Sequence, residues 1–432
     1  MSLIKISELF HFEKGSLQST KCTPGKHIFI TASSEWKTHN EYTHECEALV
    51  FAAAASGSLG RTHYVNDKFI ASDLCFIITP KDEKKYPIDI QFYHLIFNTF
   101  KNDIVKNTKA GTSKEAIGLK SFGNYKLPYF EIEKQKETRG KFILLQESNI
   151  KTDTELIHQL DLIKQLRQAF LREAMQGKLC HTELVSASQE TGQQLLEKIK
   201  AEKAQLIAEK KLKKEKELPP ITEDEIPFEI PEHWAWCHFG NLATLINGDR
   251  GKNYPNREEY VDEGVPWINT GHIQPNGTLT SSTMNFITRE KFNSLRSGKI
   301  QADDLVYCLR GATYGKTAFV EPYFEGAIAS SLMIIRLNSR INKKFVYNYL
   351  KSDFAMTQLL RFNNGSAQPN LAANDVNLYY FPLPPLHEQE QIVAKLEELM
   401  AFCDGLEQSI KESQGFNEQL LQQVLREALQ GG

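Results

Sequence analysis

The stretch nearest to a chemical motif is Arg310-Gly311-Ala312-Thr313-Tyr314-Gly315-Lys316-Thr317. A phosphate-cradling nucleotide loop requires Gly where Arg310 stands and a helix after the Lys-Thr pair. Here Ala318-Phe319-Val320, followed by Pro322, reads as strand. An earlier stretch, Ser56-Gly57-Ser58-Leu59-Gly60-Arg61-Thr62, has the same plan: a hairpin tightened by Gly and carrying one basic residue. Two readings fit both loops. They are plain hairpin geometry, or they bring Arg61 and Lys316 to a phosphate or base, since Gly permits close backbone approach and the cation supplies charge. No other chemistry assembles. The chain has no Pro-Asp pair to begin a metal-nuclease carboxylate set, no Asn-Pro-Pro or Asp-Pro-Pro box, and no G-x-G-x-x-G fingerprint. His44 and Cys46 lack two further ligands at zinc-site spacing, so no metal set is expected. The expectation is a chain that binds and does not catalyse.

Long helices must position these loops. From Leu383-Pro384-Pro385-Leu386-His387-Glu388-Gln389 the sequence stays helix-like to Gln430, and the roughly 44 residues from His387 make a rod on the order of 65 Å at 1.5 Å each. Leu396, Leu399, Cys403, Leu406, Ile410, Leu420 and Val424 form the expected apolar seam, with Ser413 and Asn417 as polar interruptions. The partner is predicted within the chain. Leu171-Arg172-Glu173-Ala174-Met175-Gln176-Gly177 nearly repeats Leu425-Arg426-Glu427-Ala428-Leu429-Gln430-Gly431, and the same offset puts Phe142, Leu145, Leu156, Ile163, Leu166 and Phe170 on a matching seam. This first rod is expected to break near Ser148 to Thr154.

Other text also recurs. Ile70-Ala71-Ser72-Asp73-Leu74 returns as Ile328-Ala329-Ser330-Ser331-Leu332, and Leu49-Val50-Phe51 as Leu305-Val306-Tyr307. Gly111-Thr112-Ser113 returns as Gly365-Ser366-Ala367, and Leu127-Pro128 as Phe381-Pro382. The plan is globule, rod, globule, rod, with boundaries at 1–131, 132–217, 218–383 and 384–432. The fold class is α+β: two pseudo-repeated mixed α/β domains separated by two long helices that pair as an antiparallel coiled coil. Strands are predicted at Ile28–Ile30, Ala48–Phe51 and Leu74–Ile78, and a helix over Ile90–Phe100. A Lys- and Glu-dense helix from Gln189 to Glu217 offers a solvated face or a DNA-backbone contact. Seven scattered cysteines, a net charge of -3, no signal peptide and no membrane-length apolar run point to a reduced cytoplasmic protein. Near-neutral charge does not exclude nucleic acid, because a basic face can be offset by acidic surfaces elsewhere.

The Leu383–Gln389 start, the helix after it, its Leu425–Gly431 end and the Gly365-Ser366-Ala367-Gln368-Pro369-Asn370-Leu371 loop resemble the specificity subunit of type I restriction-modification systems. Leu127-Pro128-Tyr129-Phe130-Glu131 departs from the Pro turn, and no Pro-x-x-Trp segment like Pro231–Trp234 stands before Ser2. The resemblance implies two target recognition domains, each reading one half of a split double-stranded DNA site. It implies helices that set the gap between halves and dock two methyltransferase subunits, with restriction and translocase subunits in the full complex. S-adenosylmethionine, ATP and Mg are then expected on those partners, and no cofactor on this chain.

Such a domain must offer donors and acceptors to base edges and cations to phosphate. The candidates in the second globule are Arg310, Tyr314, Lys316, Asn363, Asn364, Ser366, Gln368 and Asn370. In the first they are Ser56, Ser58, Arg61, Lys109, Thr112, Ser113 and Lys114. Each could equally be a turn-former. Trp267 and Asn269 face the same choice, with core packing favoured for Trp267. A coiled-coil scaffold whose globules bind protein, and an enzyme with an unrecognised site, are the competing readings.

Overall fold

The computed structural model describes all residues except 1, 55–56, 111–114, 180–189, 214–215, 311–313, 363–370 and 431–432. The chain forms two compact units, one of Met1–Gln159 with Ser409–Gly432, the other of Leu160–Gln408.

The first unit begins with β1 (Ser2–Lys5), α1 (Ile6–Leu9), β2 (Phe10–Lys14), β3 (His27–Ile30), β4 (Lys37–His39), β5 (His44–Ala52), β6 (Thr62–Ala71) and β7 (Cys75–Pro80). It continues with α2 (Ile90–Thr99), α3 (Lys101–Thr108), β8 (Lys109–Ala110), β9 (Ala116–Ile117), α4 (Leu119–Asn124), β10 (Lys126–Tyr129) and α5 (Ile132–Met175). Six strands form one sheet in the order β2-β7-β5-β6-β3-β4. Its central strand β5 alternates inward residues on two faces. Leu49 and Phe51 meet Phe92, Tyr93, Ile96 and Phe97 of α2, whereas Val50 and Ala52 join Ile30, Val65 and Ile77. The predicted strands and helix here are present.

The second unit contains α6 (Gly192–Ala208), β11 (Ala235–His238), α7 (Phe239–Leu242), β12 (Ala243–Asn247), β13 (Tyr260–Val261), β14 (Val265–Ile268), β15 (Asn285–Ile287), α8 (Arg289–Ser294) and β16 (Lys299–Ile300). After these come β17 (Leu305–Cys308), β18 (Thr317–Phe319), β19 (Gly326–Ile328), β20 (Leu332–Leu337), α9 (Lys343–Lys351), α10 (Asp353–Arg361), α11 (Ala373–Asn377), β21 (Tyr380–Leu383) and α12 (Leu386–Gln430). Here two sheets replace one, ordered β12-β20-β17-β18 and β13-β15-β14-β19-β16. The long β6 of the first unit corresponds to β18 plus β19, parted by a segment holding Pro322, which has no N–H to give to a ladder. Trp267 is 1% exposed, a core residue as favoured.

Hydrogen bonds fix the repeat register. Leu49, Val50 and Phe51 face Ile78, Ile77 and Phe76, and Leu305, Val306 and Tyr307 face Ile335, Ile334 and Met333 in the same pattern. The small-residue match is one residue out. Ser72 N donates to Ile30 O and Cys75 N to Ser72 O, while Ala329 N donates to Ile268 O and Leu332 N to Ala329 O. Ser72 is thus the counterpart of Ala329, and Ala71 of Ile328. The text match followed residue identity, but a one-residue shift exchanges the two faces of a strand, and the ladder permits only this pairing.

The helix α5 runs unbroken through Ser148–Thr154, contrary to the expected break. Thr152 and Thr154 turn their hydroxyls back to the Ser148 and Ile150 carbonyls, at 3.0 and 2.8 Å, so these residues are satisfied inside the helix. In the first unit Asn149 and Asn417 bond each other between α5 and α12, and Asn417 Nδ2 also donates to Asp153 Oδ1 at 2.8 Å. In the second, Arg167 Nη2 reaches Asp404 Oδ1 at 2.7 Å and Glu407 Oε2 at 3.1 Å. Four residues C-terminal to Arg167, Leu171 shares a core with Ile392, Val393 and Leu396, so α5 and α12 run antiparallel there. The seam is corrected at alternate positions. Leu396 and Cys403 are buried and Leu399, Ile410 and Val424 half-buried as expected, but Leu406 and Leu420 are 37% and 58% exposed, while Glu407 and Gln414 are half-buried in their stead. Polar Glu407 takes such a place because Arg167 pairs with it.

Candidate nucleic-acid interface

Both Gly hairpins are built alike. In the first unit Gly60 N donates to Ala52 O at 2.8 Å and Ala52 N to Arg61 O at 2.8 Å. In the second, Gly315 N donates to Cys308 O at 2.9 Å and Cys308 N to Lys316 O at 2.8 Å. The glycines have φ of +81° and +79°, which side chains rarely adopt. A Cβ on Gly60 would also lie 2.6 Å from Val105 Cγ2 of α3. Arg61 and Lys316 therefore occupy one position in two copies, each just before the strand that returns from the hairpin.

The two cations differ in their surroundings. Arg61 is half-buried, its Nη1 donating to Ala32 O at 3.2 Å and more loosely to Ser58 Oγ at 3.4 Å. The Lys316 side chain is exposed and makes no hydrogen bond or ion pair among the described residues. Near Arg61 stands Trp36, 42% exposed, with Nε1 donating to His63 Nδ1 at 3.2 Å. Burial holds His63 below the usual imidazole range, keeping it a neutral acceptor. Sequence reasoning missed Trp36, whose loop carries no repeated text. Tyr314 packs its ring on the edge of the second core, and Lys109 is held by Glu115 at 2.6 Å.

In both units the chain that leaves the second candidate loop is fastened at the equivalent point. Ile117 N donates to Ala53 O at 2.8 Å and Leu371 N to Leu309 O at 3.1 Å, so the chain returning from each loop is tied to the strand that opens the hairpin. Ser56, Thr112, Ser113, Lys114, Asn363, Asn364, Ser366, Gln368 and Asn370 lie outside the described residues. Asn269 caps a turn by accepting from Gly271 N at 2.9 Å. His44 bonds Glu13 Oε1 at 2.7 Å and stacks on Phe69. No cluster of three or more His, Cys, Asp or Glu with metal-binding geometry occurs among the described residues.

The family model for the type I restriction modification DNA specificity domain matches residues 1–160 and 231–413. The chain belongs to this family. Among curated relatives, the EcoAI specificity subunit of Escherichia coli is 27% identical over 252 residues, 57% of this chain and 41% of that protein. The EcoEI subunit is 28% identical over 61% of this chain and 43% of its own length, so the matched stretch spans about two fifths of these relatives. The EcoDI subunit is 23% identical over 99% of this chain and 87% of its own. The fold is that of the HsdS subunit from Thermoanaerobacter tengcongensis, with a TM-score of 0.54, 16% identity and 100% and 96% of the two chains covered. A chain from a structure on complex assembly of the type I R-M system gives a TM-score of 0.58 at 15% identity, over 99% and 97%.

The geometry suits reading of a polyanion. Each family domain presents a Gly-tightened turn, one cation in a fixed place and a second loop anchored beside it, on a rigid sheet. No helix among the described residues is long and apolar enough to cross a membrane.

Proposed function

We propose that this chain is the non-catalytic DNA-recognition subunit of a cytoplasmic type I restriction-modification complex, each unit reading one half of a bipartite double-stranded site. The observation that carries the proposal is the twofold construction of one hairpin frame, with Arg61 and Lys316 at its equivalent positions. A protein-binding scaffold would have no need to hold a cation at that point twice.

The long helices set the gap between half-sites and dock two methyltransferase subunits. On α5, Ile143, Ile150 and Ile157 recur every seven residues and are 41%, 59% and 62% exposed, an apolar row suited to a partner helix. Methylation, ATP-driven translocation and cleavage, with their S-adenosylmethionine, ATP and Mg, belong to partner subunits. The test is a salt titration of DNA binding by the chain alone and with its methyltransferase. The complex should bind far more tightly than the chain, with log K falling against log salt by about 0.9 per phosphate neutralised. A flat titration of the complex would contradict DNA recognition.

A further inference from the structure

In the second unit β12 and β17 both pair antiparallel with β20, so they run the same way and leave the sheet at one end, beside Leu332. Arg250 lies just beyond β12 and Arg310 just beyond β17. The loop holding Arg250, Gly248-Asp249-Arg250-Gly251-Lys252, is pinned from below. Asp249 is 5% exposed, and its carboxylate accepts from Gly251 N and Arg296 N, each at 2.7 Å. Gly248 lies so near the neighbouring strand that a Cβ would stand 2.6 Å from Ala329 O.

Neither guanidinium has an acceptor among the described residues, and Arg310 Nε is sealed from solvent without one. A buried donor left unpaired is costly, and a second cation close enough to act on it adds repulsion. Burial and the neighbouring Arg250 charge both hold Arg310 below its ordinary pKa. The fold itself does not require this pair. By the hydrogen-bond register Gly248 matches Gly15 and Cys308 matches Ala52, so Arg250 and Arg310 stand where the first unit has Leu17 and Ala54. A frame that closes without these cations retains them for something outside itself.

We propose that Arg250 and Arg310 together clamp one backbone phosphate of the half-site read by the second unit. An anion between two forked donors satisfies the orphaned Nε and relieves the repulsion. Lys316, at the same end of the sheet, then remains free for a separate contact. This rests on the DNA-recognition reading above.

The experiment uses the complex of this chain with its methyltransferase, on a duplex carrying its methylated sequence. Each phosphate of the second half-site is replaced in turn by a neutral methylphosphonate. One replacement should weaken wild-type binding roughly tenfold and have almost no further effect on Arg250→Ala or Arg310→Ala. Both variants should lower the salt slope by about 1 and leave the methylated sequence unchanged. Arg310→Lys, which keeps the charge, should retain part of the effect, and melting curves establish that the variants are folded. If every replacement weakens wild type and variants equally, the clamp is wrong. A changed base preference in the second half-site would instead make Arg310 a base reader and also overturn it. Failure of the wild-type complex to bind any duplex would overturn the parent reading, a result distinct from either.

Discussion

Gln135 and Gln389 perform the same task in the two units, each from the first turn of a long helix and each fully buried. Gln135 Oε1 accepts from Asp89 N at 2.8 Å, and its Nε2 donates to Phe130 O at 2.7 Å and Pro87 O at 2.9 Å. Gln389 Oε1 accepts from Asn342 N at 2.9 Å, and its Nε2 donates to Pro384 O at 3.0 Å. Asp89 and Asn342 are themselves the N-caps of α2 and α9. One amide thus ties the globule's main helix to the rod and satisfies the turn between them. The loss of both prolines at Phe130-Glu131 therefore leaves this joint intact, because Gln135 and the carbonyl of Phe130 keep its geometry.

Replacing Gln135 by Leu orphans a cap amide and two carbonyls in a dry joint. The expected cost is on the order of 2 to 4 kcal/mol, confined to the first unit, and Gln389→Leu should do the same in the second. Hydrogen exchange at the starts of α2 and α9 checks this. Unchanged protection would show that backbone packing alone holds the joint.

Asn149, Asn417 and Asp153 form a polar layer between α5 and α12. The positions of Asn149 and Asn417 in the repeat correspond to Cys403 and Ile163, both buried, so an apolar layer is sterically acceptable there. Changing both Asn149 and Asn417 to Leu should raise the melting temperature and loosen the choice of register, as an interfacial Asn commonly trades stability for specificity. Light scattering should then detect dimers or mixed species. A double variant less stable than wild type would mean that Asp153 requires the amide.

His272 is locked as the neutral tautomer, Nδ1 accepting from Asn269 N at 3.1 Å and Nε2 donating to Thr283 O at 3.0 Å. Burial lowers its pKa, so the folded state disfavours the proton. Its contribution to stability is complete above the unfolded value near 6.5 and is lost as pH falls through the lower folded value. Protection of the Asn269–Ile273 amides, relative to their unfolded exchange rates, should fall at acid pH, and His272→Gln should flatten that dependence. A pH profile identical in the variant would remove His272 as its cause.

The sequence carried the large-scale plan because duplication leaves text behind. Leu305-Val306-Tyr307 and Phe381-Pro382 match the first unit in true register because each sits in a strand whose packing constrains it. The Ala71-Ser72 match slipped, since small residues carry little register information when either neighbour could be Ala or Ser. Ser148–Thr154 reads as a breaker by composition, yet side-chain bonds within the helix and to Asn417 keep it helical. Arg61 and Lys316 were legible from Gly spacing. Arg250 was not, because its significance depends on two strands leaving one sheet at the same end, which no linear pattern states.

The central claim is that each unit reads its own half of the DNA site, and methylome sequencing of cells carrying Lys316→Ala tests it most directly. The second half-site should relax at one or more positions, each lost base contact costing about 1 to 3 kcal/mol, while the first half-site stays as in wild type. A folded, active variant whose two half-sites change together, or whose first half-site alone changes, would contradict independent reading by the two units.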